Sequence, residues 1–271
     1  MNVFVINLPQ SKDRREFQVK QLECLKLEYT FLEAVSIHDI SDAQYEAQGF
    51  GWQRPLKKVE LACFLSHKKA WEMVSQSNTA ALILEDDAIL VADIQKILKE
   101  LDASFNNHQP DLINLEVRSR KKIIGKMPVY SSKELKYNLF ELFQERTGTG
   151  GYILFPTGAK KLLDKTKRVA PATADAFIFS TYELNAYQIE PAALIQEDQM
   201  PIYGLVAHEQ FESVIGRSEH FKPEYKSIVE KLSFKKRRLM GQLAMAIRYV
   251  QVMWKAKKRD IRLDQDKFKV E

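Results

Sequence analysis

Predicted strands and helices alternate along the first half of the chain, and this order limits the fold more than any other feature. The apolar run NVFVINL (2–8) predicts a buried strand, and residues 11–27 have the apolar spacing of a helix. A second strand, YTFLEAV (29–35), follows directly. Two strands joined by a helix at this spacing indicate a parallel sheet, which binds ligands at the carboxyl ends of its strands.

The same alternation continues beyond residue 57. Residues 59–76 and 93–105 have the pattern of amphipathic helices, and the strands AALILE (80–85) and DLINLEV (111–117) follow them. The later predicted elements are a glycine-marked turn and strand at 146–156, helices at 157–166 and 174–185, and a strand with an acidic turn at 187–198. Segments 36–57 and 118–147 are expected to be loops. This order of elements predicts an α/β fold.

The composition is that of an ordinary globular protein, with 271 residues of which 45% are hydrophobic. Cys24 and Cys63 are the only cysteines and fall in separate helical patterns, which argues against a disulfide framework or a zinc site. We find no window of 18 uncharged apolar residues and no basic segment before the first apolar run. We therefore expect a cytoplasmic protein with neither a spanning helix nor a signal peptide.

Three consecutive carboxylates, Glu85, Asp86 and Asp87, end the strand ALILE and precede the apolar residues Ile89 and Leu90. Adjacent carboxylates repel each other at a poorly hydrated strand end, so this arrangement needs a positive partner. Alternation along the strand points Glu85 and Asp87 in the same direction, where both can bind a divalent cation and its diphosphate ligand. Alternatively, the carboxylates cap the next segment or pair with nearby lysines.

Three other functional hypotheses are tested against these residues. A phosphoacceptor receiver domain does not fit, because its acidic pair follows the first strand, and here the next strand ends NLEV without an aspartate. Ser66 and His67 do not form a hydrolase pair, since helix neighbours point about 100° apart and no nucleophile-elbow pattern is present. A metal-dependent phosphohydrolase remains an alternative, because it also needs clustered carboxylates.

Six motifs occur in one order over residues 1–217. They are VINLPQSKDRR near the N-terminus, ELACFLSHKKAW (60–71), LILEDDAIL (82–90), GTGGYIL (148–154), ADAFIF (174–179) and PAALIQE (191–197). This order resembles glycosyltransferase family 25, the bacterial lipooligosaccharide galactosyltransferases related to collagen galactosyltransferases. The resemblance implies a GT-A-type nucleotide-sugar-binding fold, in which helices flank a Rossmann-like mixed sheet. It also implies UDP-galactose as the donor, Mn²⁺ or Mg²⁺ as the cofactor, and inversion at the anomeric carbon.

The acidic triplet takes the place of the family's Asp-X-Asp motif. By this resemblance Asp87 would bind the metal directly, while Glu85 would face the ribose or a metal-bound water. Because the motif here is Glu-Asp-Asp, which carboxylate touches the ion stays open. The resemblance places Asp86 among the nucleotide-sugar contacts. His208 would supply a third metal ligand, although a single histidine without a spacing partner is often structural.

The opening motif of the family is matched by Asn7, Leu8, Ser11, Arg14 and Arg15. Asn7 would read the uracil edge, and Arg14 or Arg15 would approach the phosphates, because a guanidinium forks onto oxyanions. A surface helix with solvated arginines is the alternative. The helix motif is matched by Glu60, Ser66, His67 and Trp71. His67 would either bond the donor or be a satisfied core histidine.

The later motifs supply the residues expected around the acceptor. Asp175 is the candidate base that takes the proton of the acceptor hydroxyl, and its alternative role is to cap the helix that begins there. Glycine admits a close backbone approach and an aromatic ring stacks on a sugar, so Gly150, Gly151 and Tyr152 would shape the acceptor pocket. Contacts to donor or acceptor would come from Gln196 and Glu197, with Asp198 a weaker candidate.

The end of the chain is strongly basic. Residues 233–271 carry 12 Lys or Arg against 4 Asp or Glu, a balance of +8, and the remaining residues carry 29 against 32, a balance of −3. One helical stripe over residues 234–260 consists of Leu239, Leu243, Ile247, Val250 and Trp254, with basic clusters at both ends. Such a helix suits an anionic bilayer surface, with docking on the body or on a second subunit as the alternative. No reader motif for nucleic acid accompanies the charge.

Together these features predict two units, a GT-A-like catalytic domain at 1–232 and a basic amphipathic helical tail at 233–271. The predicted reaction moves galactose from UDP-galactose to a terminal sugar of a lipid-linked oligosaccharide, with a β linkage. The tail would hold the enzyme at the cytoplasmic face of the inner membrane. The alternatives are a metal-dependent phosphohydrolase and a membrane-associated protein that binds nucleotide sugars without turnover.

Overall fold

The structure is a computed structural model that describes residues 1–105, 110–144, 148–206, 225 and 227–268. The strands are β1 (Asn2–Asn7), β2 (Tyr29–Glu33), β3 (Ala81–Glu85), β4 (Ala88–Leu90), β5 (Leu112–Asn114), β6 (Lys122–Gly125), β7 (Tyr130–Ser131), β8 (Asn138–Gln144), β9 (Gly151–Leu154), β10 (Ala186–Glu190), β11 (Leu194–Gln196) and β12 (Ala256–Arg259). The α-helices are α1 (Lys12–Cys24), α2 (Asp42–Gln48), α3 (Lys58–Gln76), α4 (Ile94–Ser104), α5 (Pro156–Thr166), α6 (Ala174–Phe179) and α7 (Ile228–Val252).

One large mixed sheet joins most strands in the order β12-β6-β8-β10-β5-β9-β3-β1-β2, and β7 pairs with β8. β1 runs parallel to both β2 and β3. β9 lies antiparallel between β3 and β5, so those two strands share one direction, and β10 is parallel to β5. The carboxyl ends of β1, β3, β5 and β10 therefore meet at one edge of the sheet, where α/β proteins bind ligands.

The residues that form the core are those that the apolar patterns of the central strands and the amphipathic helices predict. Residues 81–84 of β3 are fully buried, as expected for a strand in the middle of a mostly covered sheet. The buried face of α4 consists of Ile94, Ile97, Leu98 and Leu101. At this spacing the apolar side chains form one helical stripe against the sheet. In α3 the same spacing buries Leu61, Phe64, Trp71 and Val74.

A second, two-stranded sheet forms beside the acidic triplet. β4 pairs antiparallel with β11, and this register places Ala88 opposite Gln196. The backbone N–H of Glu197 also donates to the carbonyl oxygen of Asp87, at 3.2 Å. Residues near position 196 are therefore held directly against residues 85–87.

The basic C-terminal segment is fastened to the body of the protein by a strand. α7 buries only Phe234 and Val252 among its residues. After it, β12 pairs antiparallel with β6 at the edge of the large sheet, and Ile261 and Phe268 enter the main core. Arg259 pairs with the buried carboxylate of Glu190. Among the helices that the structure describes, none is long and apolar enough to cross a bilayer.

The predicted fold class is confirmed, since helices flank a mixed sheet and a basic helix lies near the C-terminus. Five predicted elements differ in extent. The segment 36–57, predicted to be a loop, contains α2. The helix predicted at 174–185 ends at Phe179, the strand predicted at 187–198 is split into β10 and β11, the loop predicted at 118–147 contains β6, β7 and β8, and the helix predicted at 234–260 ends at Val252. In the last case, residues 256–259 form a strand because they pair with β6 and because Arg259 meets the buried carboxylate of Glu190. The division of the chain after residue 232 stays a prediction.

Candidate active site

The acidic triplet lies at the carboxyl edge of the sheet, immediately after β3. The side-chain nitrogen Nε2 of Gln196 donates to Oε2 of Glu85 and to Oδ1 of Asp87, at 3.0 Å in each case. Asp86 points the other way, where its Oδ2 accepts a hydrogen bond of 2.8 Å from Asn7. Glu85 and Asp87 therefore share one side, as the alternation along a strand predicts.

Arg14 of α1 is the positive partner that the triplet requires. Its Nη1 lies 2.7 Å from Oδ1 of Asp86 and 3.5 Å from Oδ2 of Asp87. Burial opposes the charge on this guanidinium, but the two aspartates outweigh it and raise the pKa of Arg14. The backbone is held as well, because the amide of Gln18 donates to the carbonyl oxygens of Asp86 and Ala88. An arginine, rather than the lysines of the alternative hypothesis, thus faces the triplet.

Glu85 ends a directed chain of hydrogen bonds from the core. The indole N–H of Trp71 donates to the hydroxyl of Tyr152 at 2.9 Å, and that hydroxyl lies 3.0 Å from Nδ1 of His67. Nε2 of His67 lies 3.2 Å from Oε1 of Glu85. A carboxylate only accepts, so we assign the proton of His67 to Nε2, and Nδ1 then accepts from Tyr152.

The two carboxylates of the pair have opposite pKa shifts. Burial opposes ionisation of Glu85, but the hydrogen bonds from His67 and from the hydroxyl of Thr149, at 2.6 Å, outweigh burial and lower its pKa. Burial, followed by the charge of Glu85, raises the pKa of Asp87 to about 7. Arg14 and Gln196 oppose this rise only in part. The pair is therefore short of positive charge.

This donor set fits a hard divalent cation. Two carboxylate oxygens on one side of the chain are the ligands that Mn²⁺ and Mg²⁺ prefer, and a cation between them would offset the repulsion that raises the pKa of Asp87. Cys63, His67 and Glu85 form another group, whose ligand atoms lie within 4.8 Å of one another. Burial raises the pKa of Cys63 well above its usual value, so it is a neutral thiol and a poor ligand for these hard ions.

Two cavities meet at the carboxylate pair. The first has a volume of about 500 Å³ and lies beside the loop between β1 and α1, where Leu8 and Ser11 line it. The second has a volume of about 390 Å³ and reaches from the pair to Asp175, Gln196, Glu197 and Asp198. Their shared wall consists of Arg14, Cys63, Glu85 and Asp87. A ligand spanning both cavities would pass directly over the two carboxylates.

Asp175 lies in the first turn of α6 and lines the second cavity. Its Oδ1 accepts from the hydroxyl of Thr173 at 2.6 Å and from the backbone N–H of Ala176 at 2.7 Å. No hydrogen bond from the described residues reaches Oδ2. One oxygen thus holds the side chain at the helix start, and the other is available to a ligand. The N-cap of α6 is Thr173, so Asp175 does not fill the alternative role of capping residue.

Several predicted contacts lie away from the cavities. Tyr152 is 1% exposed and bonded within the core, so the prediction that its ring stacks on a sugar is wrong for this structure. His67 does line the first cavity, but both of its ring nitrogens are hydrogen-bonded within the protein, to Tyr152 and to Glu85. Asn7 bonds Asp86, and Arg15 stacks on Phe31 at 3.9 Å, and neither residue lines the first or the second cavity.

At Gly150 and Gly151, the space that a side chain would fill is occupied by other side chains of this protein rather than being open to a sugar. A Cβ on Gly150 would lie 2.5 Å from Cγ of Gln196, and one on Gly151 would lie 2.0 Å from a methyl carbon of Leu194. The predicted close backbone approach is therefore to β11. Ser66 lines the first cavity, but its hydroxyl already bonds Val35 and Ala62. His208 lies outside the described residues.

Three contributors to the site were not predicted. Thr149 donates to Glu85, Arg118 donates to Oε1 of Gln196 at 2.6 Å, and Glu116 accepts from the backbone N–H of Gly150 at 2.8 Å. Burial raises the pKa of Glu116 to about 8. The nearby Lys122 is fully buried, which lowers its pKa to about 8. Thr149 belongs to the GTGG motif and Arg118 opens the basic run RSRKK, so both had a signal in the sequence.

The fold and the site define an α/β protein with a carboxylate-lined ligand site at the carboxyl edge of a mixed sheet. The sequence model of glycosyltransferase family 25 (LPS biosynthesis protein) matches residues 1–178. The chain therefore belongs to glycosyltransferase family 25, which confirms the family resemblance. Membership supports a glycosyltransferase, which uses a nucleotide-sugar donor.

Curated relatives fall into two groups. Procollagen galactosyltransferase 1-A of Xenopus laevis is 28% identical over 71% of this chain and 35% of its own length. The chain thus spans about a third of that relative. Lacto-N-neotetraose biosynthesis glycosyltransferase LgtE of Neisseria gonorrhoeae is 25% identical over 73% of this chain and 74% of its own length. Lipooligosaccharide biosynthesis protein lic2B of Haemophilus influenzae is 23% identical over 78% of this chain and 81% of its own length.

Proposed function

We propose that this chain is an inverting galactosyltransferase that moves galactose from UDP-galactose to a terminal sugar of lipooligosaccharide and forms a β linkage. The observation that carries the proposal is the meeting of two cavities at Glu85 and Asp87. A transferase needs one compartment for the donor and another for the acceptor, with the reacting atoms between them. The relatives support this choice, since two are named for oligosaccharide biosynthesis and one for galactosyl transfer.

The first cavity is the proposed donor site. It lies at the first loop of the sheet, where nucleotides bind in such folds, and Arg14 at its wall presents a guanidinium to the diphosphate. Glu85 and Asp87 would hold Mn²⁺ or Mg²⁺, which would neutralise the diphosphate and make UDP a better leaving group. The hydrogen bonds from His67, Thr149 and Gln196 fix the two carboxylates for this task.

The second cavity is the proposed acceptor site. The acceptor hydroxyl oxygen forms the new bond to the anomeric carbon of galactose, and its proton passes to Oδ2 of Asp175. The bond from the anomeric carbon to the UDP oxygen breaks on the opposite face, so the configuration inverts. Thr173 and the N–H of Ala176 hold Oδ1 of Asp175 during this transfer.

Peripheral binding to the cytoplasmic face of the inner membrane is part of the proposal. The apolar stripe on α7 is exposed, with Leu239 65% and Val250 61% accessible to solvent. Basic residues flank it on both sides. An exposed apolar stripe with flanking lysines and arginines is attracted to an anionic bilayer, and a lipid-linked acceptor would be found there.

Product analysis with UDP-sugars tests the proposal. The purified chain is incubated with UDP-galactose and Mn²⁺, with and without chelator, and with deacylated lipooligosaccharide as acceptor. We expect UDP release that depends on both the metal and the acceptor, and a β-galactosyl product by NMR. Release of inorganic phosphate or monophosphate without acceptor would instead identify a phosphohydrolase. Saturable UDP-galactose binding without any product would identify a binding protein.

A further inference from the structure

The structure contains a third cavity, of about 790 Å³, between α7 and the body of the protein. We call it the α7 groove. Its walls are the α7 segment from Ser233 to Met245 on one side, and residues 51–53 and 179–182 on the other. This volume lies in the range of sites that bind ligands of several hundred daltons.

The contacts of α7 with the body make the groove a fixed feature. Arg237 donates to the backbone carbonyl oxygens of Trp52 at 2.7 Å and of Phe50 at 3.0 Å. Gln144 of β8 donates to the carbonyl oxygen of Met245 at 2.5 Å. Both ends of the groove-facing segment of α7 are therefore tied to the body.

The groove opens onto the proposed catalytic base. Asp175 lines both the α7 groove and the second cavity, so a ligand can extend from one to the other past this carboxylate. The donor cavity lies on the far side of Glu85 and Asp87. An extended molecule in the groove would thus approach the reaction centre from the acceptor side.

The lining suits an oligosaccharide that carries negative charge. Trp52, Phe179 and Tyr182 present half-buried aromatic rings, which pack against the apolar faces of sugars. Lys236 and Arg237 add two positive charges at the wall. The hydrogen bonds of Arg237 go to neutral oxygens of Trp52, Phe50 and Ser233, so these contacts leave its charge uncompensated. Asp175 is the one carboxylate among the described lining residues.

We propose that the α7 groove binds the anionic inner part of the acceptor, the phosphate- or carboxylate-bearing sugars that precede the residue receiving galactose. The terminal hydroxyl would then reach Asp175 while the charged part of the glycan lies against Lys236 and Arg237. This inference rests on the proposed transferase function and names the class of acceptor for it. It assigns the inward face of α7 to the glycan and leaves the outward stripe to the membrane.

Filling the groove tests the position of the site. Ala244 lines the groove, whereas Ala246 is exposed on the same helix about 200° away and outside it. We compare Ala244→Trp with Ala246→Trp by isothermal titration with the phosphorylated oligosaccharide obtained by deacylating lipooligosaccharide. We expect at least about tenfold weaker binding for Ala244→Trp and wild-type binding for Ala246→Trp. Equal affinities in the two variants would overturn the proposal, as would binding only to intact lipooligosaccharide with its acyl chains.

Charge reversal tests the chemical class of the ligand. Lys236→Glu changes a groove residue, and Lys231→Glu makes the same change on α7 outside the groove. We expect Lys236→Glu to weaken binding of the phosphorylated glycan by about tenfold, and to change binding of the phosphatase-treated glycan far less. Equal losses for both glycans would show that the groove does not recognise the anionic groups.

A separate readout distinguishes this inference from the proposed function. Slow hydrolysis of UDP-galactose in the absence of acceptor reports on the donor site alone. We expect Ala244→Trp to keep this hydrolysis while it raises the KM for the glycan. If the wild type hydrolyses UDP-galactose but no variant alters glycan binding, the groove assignment fails and the transferase stands. If the glycan binds in the groove but galactose is never transferred, the proposed function fails instead.

Discussion

Glu85 and Asp87 are joined by one amide: Nε2 of Gln196 lies 3.0 Å from Oε2 of the first and 3.0 Å from Oδ1 of the second. A neutral amide can orient two carboxylates but cannot balance their charges. The pKa of Asp87 is accordingly raised to about 7 by burial and by Glu85. The structure thus orients both carboxylates toward the same amide, which lowers the cost of ordering them as ligands on binding.

Replacing Asp87 with Asn should remove the response to metal. Wild-type protein should gain thermal stability from Mn²⁺, because a ligand that binds only the folded state stabilises it. The variant should lose this gain and lose at least about 100-fold in kcat/KM, the range seen when transition-state charge stabilisation is removed. Differential scanning fluorimetry with and without Mn²⁺ measures the first effect, and UDP release the second.

Asp86→Asn is the matched control for this experiment. Its carboxylate faces Asn7 and Arg14 rather than Glu85, so the Mn²⁺-dependent rise in Tm should persist even if the fold loses some stability. If the Mn²⁺-dependent rise in Tm persists in Asp87→Asn and disappears in Asp86→Asn, the metal binds on the side of the strand that Asp86 faces.

Without metal, the contribution of Asp87 to the free energy of unfolding should fall as the pH rises from about 4 to about 7. The folded-state pKa of Asp87 is raised from 3.8 to about 7, so the folded state holds this proton more tightly than the unfolded chain does. The stabilisation is complete below the unfolded pKa and is lost as the pH rises through the folded pKa. Urea unfolding of the wild type and of Asp87→Asn across this range measures it. The free energy of unfolding of Asp87→Asn minus that of the wild type should increase up to about pH 7 and then level off. If this difference does not change with pH, Asp87 does not titrate in this range.

Local patterns predicted the elements that build the donor side of the site. The apolar spacing of α3 and α4 and the buried run of β3 are clear sequence patterns, because each element faces the core along its whole length. The position of Glu85 and Asp87 at the strand end followed from β3 alone. These features depend on neighbours within a few residues, which a single sequence contains.

Long-range pairing determined what the sequence did not predict. Gln196 reaches Asp87 across 109 positions because β11 pairs with β4, and neither short strand has a distinctive pattern. The basic run at 256–259 has the composition of a helix end, but it becomes β12 because Arg259 meets the buried Glu190 and β6 offers a free edge. The aromatic ring of Tyr152 suggests a sugar contact, but in the structure its hydroxyl is hydrogen-bonded to Trp71 and His67 in the core.

Tyr152→Phe should destabilise the fold by about 1–3 kcal/mol, because it leaves the buried N–H of Trp71 without an acceptor and Nδ1 of His67 without a donor. It should also weaken Mn²⁺ binding, since His67 would no longer be fixed against Glu85. Urea unfolding and the Mn²⁺ dependence of Tm report these two effects. Tyr187→Phe removes a hydroxyl from a half-buried tyrosine of β10 and should change neither. Equal stability of the two variants would contradict the directed hydrogen-bond chain.

Gly150→Ala should impair catalysis more than stability. The new Cβ would lie 2.5 Å from Cγ and 2.7 Å from Cδ of Gln196, so that side chain must move and release Glu85 and Asp87. A flexible side chain can move at small cost, so we expect a loss of about 1 kcal/mol in stability and at least about tenfold in kcat. Gly125→Ala is the control, because the atom nearest to a Cβ at this position would be the carbonyl oxygen of Met127 at 3.3 Å, and Gly125 lines neither the first nor the second cavity. A fully active Gly150→Ala would show that the contacts of Gln196 are dispensable.

Negative charge on the outward stripe of α7 should release the protein from anionic vesicles. Leu243 and Val250 are 52% and 61% exposed, so Leu243→Asp and Val250→Asp should leave the fold intact while opposing insertion into the headgroup region. Point variants are needed because deleting the tail would also remove Ile261 and Phe268 from the core. Flotation with vesicles of mixed neutral and anionic lipid measures the effect.

Met127→Asp provides the control for flotation, since Met127 is an apolar residue 76% exposed in the turn after β6. It adds the same charge away from α7 and should float with the vesicles as the wild type does. Circular dichroism confirms that all three variants are folded. If the α7 variants also remain with the vesicles, or if the wild type does not float at all, the outward stripe is not a membrane-binding surface and α7 serves the protein only through its inward face.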